Sequence, residues 1–329
     1  MIPYLSIVVV SRNDNHGGKL SQRMQHFIDS LGEQINRYKL PTELVIVEWN
    51  PPKDRALLKD ALSWSKCGGN LSVRIITIPY ETHSKFLHSD MIPLYQMIGK
   101  NVGIYRAKGK FVLATNIDNL FSNELIEFVA KQKLIHGVFY RVNRIDVDEN
   151  LPIKSVDEKI EYCRNNVIRV NSKHYLTNLI NLKSLTYDII NDPNLLKYYL
   201  KKLIHKNNVP SLHYNACGDF TMMSKSNWFA IGGYLELEMY SLHIDSILLM
   251  TASNFGLREV VLNSPLEIYH MHHESGITPG NGQKLLLEKF KLNGVPVLSW
   301  RECVNIGTKY TINPRWGLKN ITFAETVII

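Results

Sequence analysis

No apolar run in this 329-residue chain approaches the roughly 20 residues a membrane-spanning helix needs. The four cysteines, Cys67, Cys163, Cys217 and Cys303, stand far apart with no CxxC pair. That argues against a zinc cluster and a disulfide framework, and leaves them as buried or idle thiols. The fingerprint GxGxxG is missing after the first apolar run, where only Gly17-Gly18 occurs, and no GxxxxGK[ST] loop is present. A nicotinamide dehydrogenase and a P-loop ATPase are disfavoured on that ground. Hydrophobic residues at 45% and charged residues at 21% exclude a disordered chain. The net charge of +8 suits a polyanion, an anionic membrane surface or a phosphorylated small molecule equally. The basic residues are scattered and carry no recognised binding motif, so nucleic acid is not an expected partner. The opening stretch MIPYLSIVVVSRND has neither a basic lead nor a small-residue cleavage site. It reads as a buried strand, and the expected compartment is the cytoplasm.

What is present is an alternating rhythm. Leu5–Val10 is short, apolar and rich in β-branched residues, the pattern of a strand covered on both faces. After the polar loop Ser11–Gly18, Leu20, Met24, Phe27, Ile28, Leu31 and Ile35 recur at spacings of three and four, a helical stripe. Glu43–Val47 predicts a second strand, Leu57–Leu62 a short helix and Val73–Ile78 a third strand. Leu94–Tyr105 predicts a longer helix and Phe111–Ala114 a fourth strand. Strands alternating with helices imply an α/β fold, a mainly parallel sheet with helices on both faces. Ligands of such sheets sit beyond the carboxyl ends of the strands. The polar residues there are Ser11, Arg12, Asp14, Glu48, Asn116 and Asp118. Carboxylates at those ends, without a glycine-rich phosphate loop, call for a divalent cation, Mn²⁺ or Mg²⁺, if the ligand is a diphosphate.

Three blocks in this order resemble the GT-A glycosyltransferases, in particular the family-2-like ones. The first is Asn101-x-Gly103-x-x-x-Ala107-x-Gly109-x-Phe111-Val112-Leu113-x-x-Asn116-Ile117-Asp118. The second is Gly218-Asp219-Phe220 with Trp228-Phe229-x-x-Gly232-Gly233-Tyr234, and the third is Met239–Asp245. The resemblance spans residues 4–275 and is strong only in these blocks. It implies a GT-A type doubly wound, mixed, mainly parallel sheet and a nucleotide-sugar donor. It further implies a sugar transfer to an acceptor hydroxyl, with inversion, on a glycan, a lipid-linked acceptor or a cell-surface polysaccharide. Asp118 would hold the metal, and Ser11, Arg12, Asp14 and Glu48 would contact base and ribose. Asn101 and Arg106 would lie near sugar or phosphates, and Asp245 would be the general base. Asp219 is its rival for that role and could instead bind a donor-sugar hydroxyl. Asn116 departs from the pattern, which has Asp at that position, and so lowers the charge offered to a metal.

The donor part is expected over residues 1–140, the acceptor and catalytic part over 141–277, and a C-terminal extension that folds back as a lid over 278–329. The strand–helix rhythm fades over 141–210, where the basic stretch Tyr199–Asn208 reads as a helix packed by its leucines or as a surface meeting anionic lipid or glycan. In Tyr269-His270-Met271-His272-His273, extended backbone would put His270 and His272 on one face and Met271 and His273 on the other. Late histidines complete the metal site in the resembling enzymes, which makes His270 and His273 candidate ligands; a polar surface or hydrogen-bonded core role competes. Trp49 and Trp228 read as core residues, with stacking on a sugar face as the competing role. Two other functions fit the same sheet: a sugar-phosphate nucleotidyltransferase, disfavoured by the loop SRNDNHGG, and a non-catalytic nucleotide- or glycan-binding module.

Overall fold

The run Leu5–Val10 is apolar throughout because both of its faces are covered. Val8 and Val10 enter one core with Val45, Val47 and Trp49. Leu5, Ile7 and Val9 enter another with Leu44, Ile46 and the stripe from Leu20 to Ile35. The computed structural model describes residues 2–152, 154–171, 173–174, 211–273, 281–309 and 312–329. In chain order its elements are β1 (Leu5–Ser11), α1 (Leu20–Arg37), β2 (Thr42–Trp49), α2 (Leu58–Ala61), β3 (Leu71–Ile78), α3 (Tyr80–His83), α4 (Gln96–Arg106), β4 (Phe111–Thr115), β5 (Asn119–Phe121), α5 (Asn123–Ala130) and β6 (Val138–Val147). They continue as α6 (Val156–Asn165), β7 (Val167–Val170), β8 (Lys173–His174), β9 (Phe220–Ser224), α7 (Lys225–Ile231), α8 (Ile244–Asn254), β10 (Arg258–Met271), α9 (Asn281–Leu292), α10 (Trp300–Gly307) and β11 (Ala324–Val327).

The strands form one sheet in the order β11-β3-β2-β1-β4-β9-β6-β10-β5, with β7 and β8 added beside β6. Strands β1, β2, β3 and β4 are parallel, β9 is antiparallel to both β4 and β6, and β10 is parallel to β6. Strands β3, β2, β1, β4, β6 and β10 therefore all end on the same edge of the sheet. The α/β class, with a mixed, mainly parallel sheet covered by helices on both faces, is as expected.

The first third matches the sequence pattern closely. Beyond residue 141 the expectation of a fading rhythm needs correction, because β6, α6, β7 and β9 continue the layers. Arg141, Arg144 and Asp146 interrupt the apolar pattern of β6, yet Arg141 and Asp146 are fully buried there. The described part of the tail packs into the domain. Phe290, Val295, Leu298, Cys303, Trp316 and Phe323 join the core around α4, and β11 forms the sheet edge beside β3. The basic stretch 199–208 lies outside the described residues. Among the described residues no helix is long and apolar enough to cross a membrane, and all four cysteines are unpaired.

Two of the three sequence blocks meet in the core. The Asn101 amide donates to the Tyr234 carbonyl at 2.8 Å and to Glu236 at 2.9 Å, and accepts from the Tyr234 N–H at 2.8 Å. Gly103 lies where α4 crosses the sheet; a Cβ there would overlap Val8 Cγ1 and sit 3.2 Å from Val47 Cγ2. Gly103→Ala gains up to about 1 kcal/mol of helix propensity. Forcing two fully buried valines aside costs about 1–3 kcal/mol. The net expectation is a lowered urea midpoint, and a midpoint at or above that of the wild type would show that the layers part freely here.

Candidate active site

The common edge of the sheet gathers the polar residues. Asp118 follows β4 in the turn toward β5, and its backbone carbonyl accepts from the Met271 N–H at 3.1 Å. That bond joins the turn to the end of β10. His270 is the penultimate residue of β10, in register with Asp146 on β6. The strand ends at Met271, where the His272 N–H donates to the Val147 carbonyl at 2.8 Å. Strand alternation therefore stops before His273. The pairing of His270 with His272 expected for an extended chain is replaced by one of His270 with His273, whose rings lie 5.3 Å apart.

Asp118, His270 and His273 each offer a ligand atom, and these atoms lie within 4.8 Å of one another. Asp118 Oδ2 is 3.2 Å from His273 Nε2 and 3.7 Å from His270 Nε2. Asp118 Oδ1 and His273 Nδ1 are buried and have no hydrogen-bond partner among the described residues. Buried polar atoms are nearly always satisfied. One carboxylate with an unsatisfied oxygen and two imidazoles, each offering one nitrogen, make a mixed nitrogen and oxygen ligand set, so the residues fit a divalent cation. His16, in the loop after β1, lies edge-on to His273 with ring centroids 5.7 Å apart. Fully buried Arg23 ties this loop to α1, donating to the carbonyls of His16 at 2.7 Å and of Gly18.

Burial raises the Asp118 carboxyl pKa, but the attraction of His270, the hydrogen bond with His273 and the charge of Arg23 outweigh it and hold the group below the usual carboxylate range. For His270 burial acts downward, and Asp118 with the hydrogen bond to Asp146 outweighs it, so the imidazole titrates above its ordinary value. In the metal-free protein this raised pKa contributes stability that is complete below about pH 6.5 and is lost as pH rises through the folded value. A cation needs the imidazole lone pair, so metal binding runs in the opposite sense. Below the His270 pKa the apparent Mn²⁺ affinity is expected to fall about tenfold for each pH unit. Isothermal titrations between pH 6 and 8 read this slope, and a flat profile would remove His270 from the ligand set.

Asn116 makes its side-chain hydrogen bonds to residues outside the three-residue cluster. Its carbonyl accepts from Gln96 Nε2 at 2.8 Å and its amide donates to Asp219 Oδ1 at 2.6 Å. Asp219 Oδ2 accepts from Arg144 at 2.8 Å. Burial raises the Asp219 pKa, but Arg144 and His270 together hold it down. Asp245 stands in the first turn of α8, half-buried, with Oδ2 accepting from the Gly218 N–H at 2.8 Å and Oδ1 from the Ser246 N–H at 2.9 Å. The Gly218 carbonyl accepts from Lys100 Nζ at 2.5 Å. Lys100 is fully buried, and burial pushes its pKa down to about 8 against the pull of Asp219 and Asp245. The peptide between Cys217 and Asp219 is thus held from both sides, next to both candidate carboxylates.

The remaining expected residues divide. Arg12 and Asp14 lie in the loop at this edge, 3.5 Å apart, with Arg12 donating to the Pro93 carbonyl at 3.0 Å and Asp14 accepting from the His16 N–H at 3.0 Å. Ser11 is buried, its hydroxyl on Met24 Sδ at 3.3 Å, and Glu48 is buried with Oε1 accepting from the Leu58 N–H at 2.7 Å. Asn101 and Arg106 are not brought to the Asp118 cluster. The amide of Asn101 holds the Tyr234 segment, and the guanidinium of Arg106 donates to the carbonyls of Gly317, Leu318 and Ile321. Trp49 and Trp228 are fully buried core residues. Sequence reasoning missed Lys100, Arg144 and Asp146. Arg144 and Asp146 share one face of β6, and a strand carrying an Arg-x-Asp pair between apolar residues was the available signal.

No family model and no curated protein matches this sequence. Among solved structures it is similar to S. aureus TarS 1–349, with 14% identity over 81% of this chain and a TM-score of 0.46. The same region in complex with UDP-GlcNAc has 13% identity, covers 91% of this chain and 69% of that one, and has a TM-score of 0.42. The catalytic domain of Drosophila β1,4-galactosyltransferase 7, in complex with xylobiose, has 8% identity, covers 85% of this chain and 78% of that one, and has a TM-score of 0.37. This chain spans 60% of the first of these. Likenesses at TM-scores this low carry no functional weight, and the chain's own residues must supply the reading of the site.

Proposed function

We propose that this chain is a GT-A type glycosyltransferase that moves a sugar from a nucleotide-sugar donor to an acceptor hydroxyl with inversion, with a divalent cation held by Asp118, His270 and His273. One observation supports this most. Three side chains from two distant parts of the sequence converge beyond the carboxyl ends of the strands, where a doubly wound sheet binds its ligand. Two imidazoles with one carboxylate favour Mn²⁺ over Mg²⁺, which prefers an all-oxygen shell. The cation would offset the negative charge of the departing nucleoside diphosphate.

The chain's own residues supply the rest. Asp245 is the base that removes the acceptor proton while the hydroxyl attacks the anomeric carbon from the face opposite the leaving group. Its half-buried position favours it over Asp219, which is buried and whose basicity Arg144 lowers. Asp219 orients the donor sugar instead. Arg12 and Asp14 line the nucleotide side, with the acceptor a glycan or lipid-linked saccharide. The test is a panel of nucleotide sugars with Mn²⁺, read by nucleoside diphosphate release. Release from one donor class, strengthened by acceptor, supports the transferase. Pyrophosphate release from a nucleoside triphosphate and sugar phosphate would replace it with a nucleotidyltransferase, and donor binding without turnover would leave a binding module.

A further inference from the structure

We infer that Asp146 is a positioning residue for His270: it holds the proton on Nδ1 and so leaves the Nε2 lone pair facing Asp118. This rests on the proposed metal site. Asp146 is buried, and its Oδ1 lies 2.9 Å from His270 Nδ1. The two are cross-strand neighbours in the parallel pairing of β6 with β10, so the sheet register itself sets them side by side. An ionised carboxylate can only accept, so Nδ1 must be the donor. The opposite nitrogen, Nε2, is the one 3.7 Å from Asp118 Oδ2.

Asp146 is kept ionised and immobile by groups on every side. It is a buried carboxylate set between two guanidinium groups, those of Arg144 and Arg169. Arg169, its register partner on β7, donates Nε to Asp146 Oδ2. Arg144 Nη2 donates to the same oxygen at 3.3 Å, and Arg144 Nε lies 3.0 Å from Oδ1 without the alignment of a hydrogen bond. The other arm of Arg144 reaches Asp219 at 2.8 Å. A chain of contacts therefore runs Asp219–Arg144–Asp146–His270, from one candidate donor residue to one candidate ligand. A carboxylate bonded to the far nitrogen of a ligating histidine fixes its tautomer and ring angle, and losing it typically weakens metal binding 10–100-fold.

The decisive measurements are Mn²⁺ titrations of wild type, Asp146→Asn, His270→Ala and the double variant. Asp146→Asn should bind Mn²⁺ about 10–100-fold more weakly than wild type, and in the His270→Ala background it should cause no further loss. Equal affinity of Asp146→Asn and wild type, or an undiminished loss without His270, would overturn the positioning role while leaving the metal site standing. Failure of the wild type to bind Mn²⁺ at all would overturn both. Removing a buried charge between two arginines can prevent folding, so a second measurement uses only the wild type. Nitrogen-resolved NMR of the metal-free protein near pH 9 should find the His270 proton on Nδ1; a proton on Nε2 refutes the proposal.

Discussion

Asp118→Ala is expected to abolish the stabilisation that a nucleoside diphosphate and Mn²⁺ together confer on the wild type, and with it all measurable sugar transfer. A ligand present at about 100 times its dissociation constant adds roughly 2.7 kcal/mol to the folded state, several degrees in a thermal melt. Asp118 is the residue on which both candidate histidines converge, and its free Oδ1 is a buried orphan. Alanine there removes the negative charge that a cation would neutralise and leaves two histidines facing each other. Metal-free stability moves in two directions, because the ion pairs of Asp118 are lost while its burial cost is relieved. The comparison that counts is therefore the ligand-induced shift, not the absolute melting temperature. A panel of nucleoside diphosphates with and without Mn²⁺ reads it directly. Retention of a metal-dependent shift in Asp118→Ala would move the cation elsewhere, and no shift for a folded wild type with any nucleotide would remove the donor site.

Asp245→Asn should act on a different step. General base assistance contributes on the order of 100- to 10,000-fold, and turnover should fall by that factor while donor affinity stays within about twofold. Asparagine preserves the shape of the side chain and can still accept the Gly218 N–H bond made by Oδ2. The Ser246 N–H loses its acceptor, so the change removes the basicity together with one local hydrogen bond. Asp219→Asn is the informative partner. It weakens the contact with Arg144 and should raise KM for the donor at least as much as it lowers kcat. If Asp245→Asn leaves turnover intact and Asp219→Asn removes it, the two carboxylates exchange roles. If Asp245→Asn weakens donor binding and turnover equally, Asp245 is part of the binding surface and not the base.

The sequence by itself determined the class of fold and the edge on which the candidate site lies. The strands from Leu5 to Thr115 are almost wholly apolar because a parallel sheet is covered on both sides, and that pattern is local and needs no partner to be read. It also supplied Asp118, His270 and His273 as candidate ligands, each at the end of a recognisable apolar run. The tertiary structure decided which histidines meet, because alternation along β10 ends at Met271 and the following residue is bonded to β6. It also decided that Asn101 joins α4 to the Tyr234 segment, since an asparagine in a motif reads the same whether it faces a ligand or a backbone. The continuation of the layers through β6 was hidden for the same reason that makes it interesting. Arg144 and Asp146 look like surface residues in one dimension, and the remaining partners that make their burial tolerable, Asp219, Arg169 and His270, lie tens of residues away and arrive only once β6, β7, β9 and β10 lie side by side.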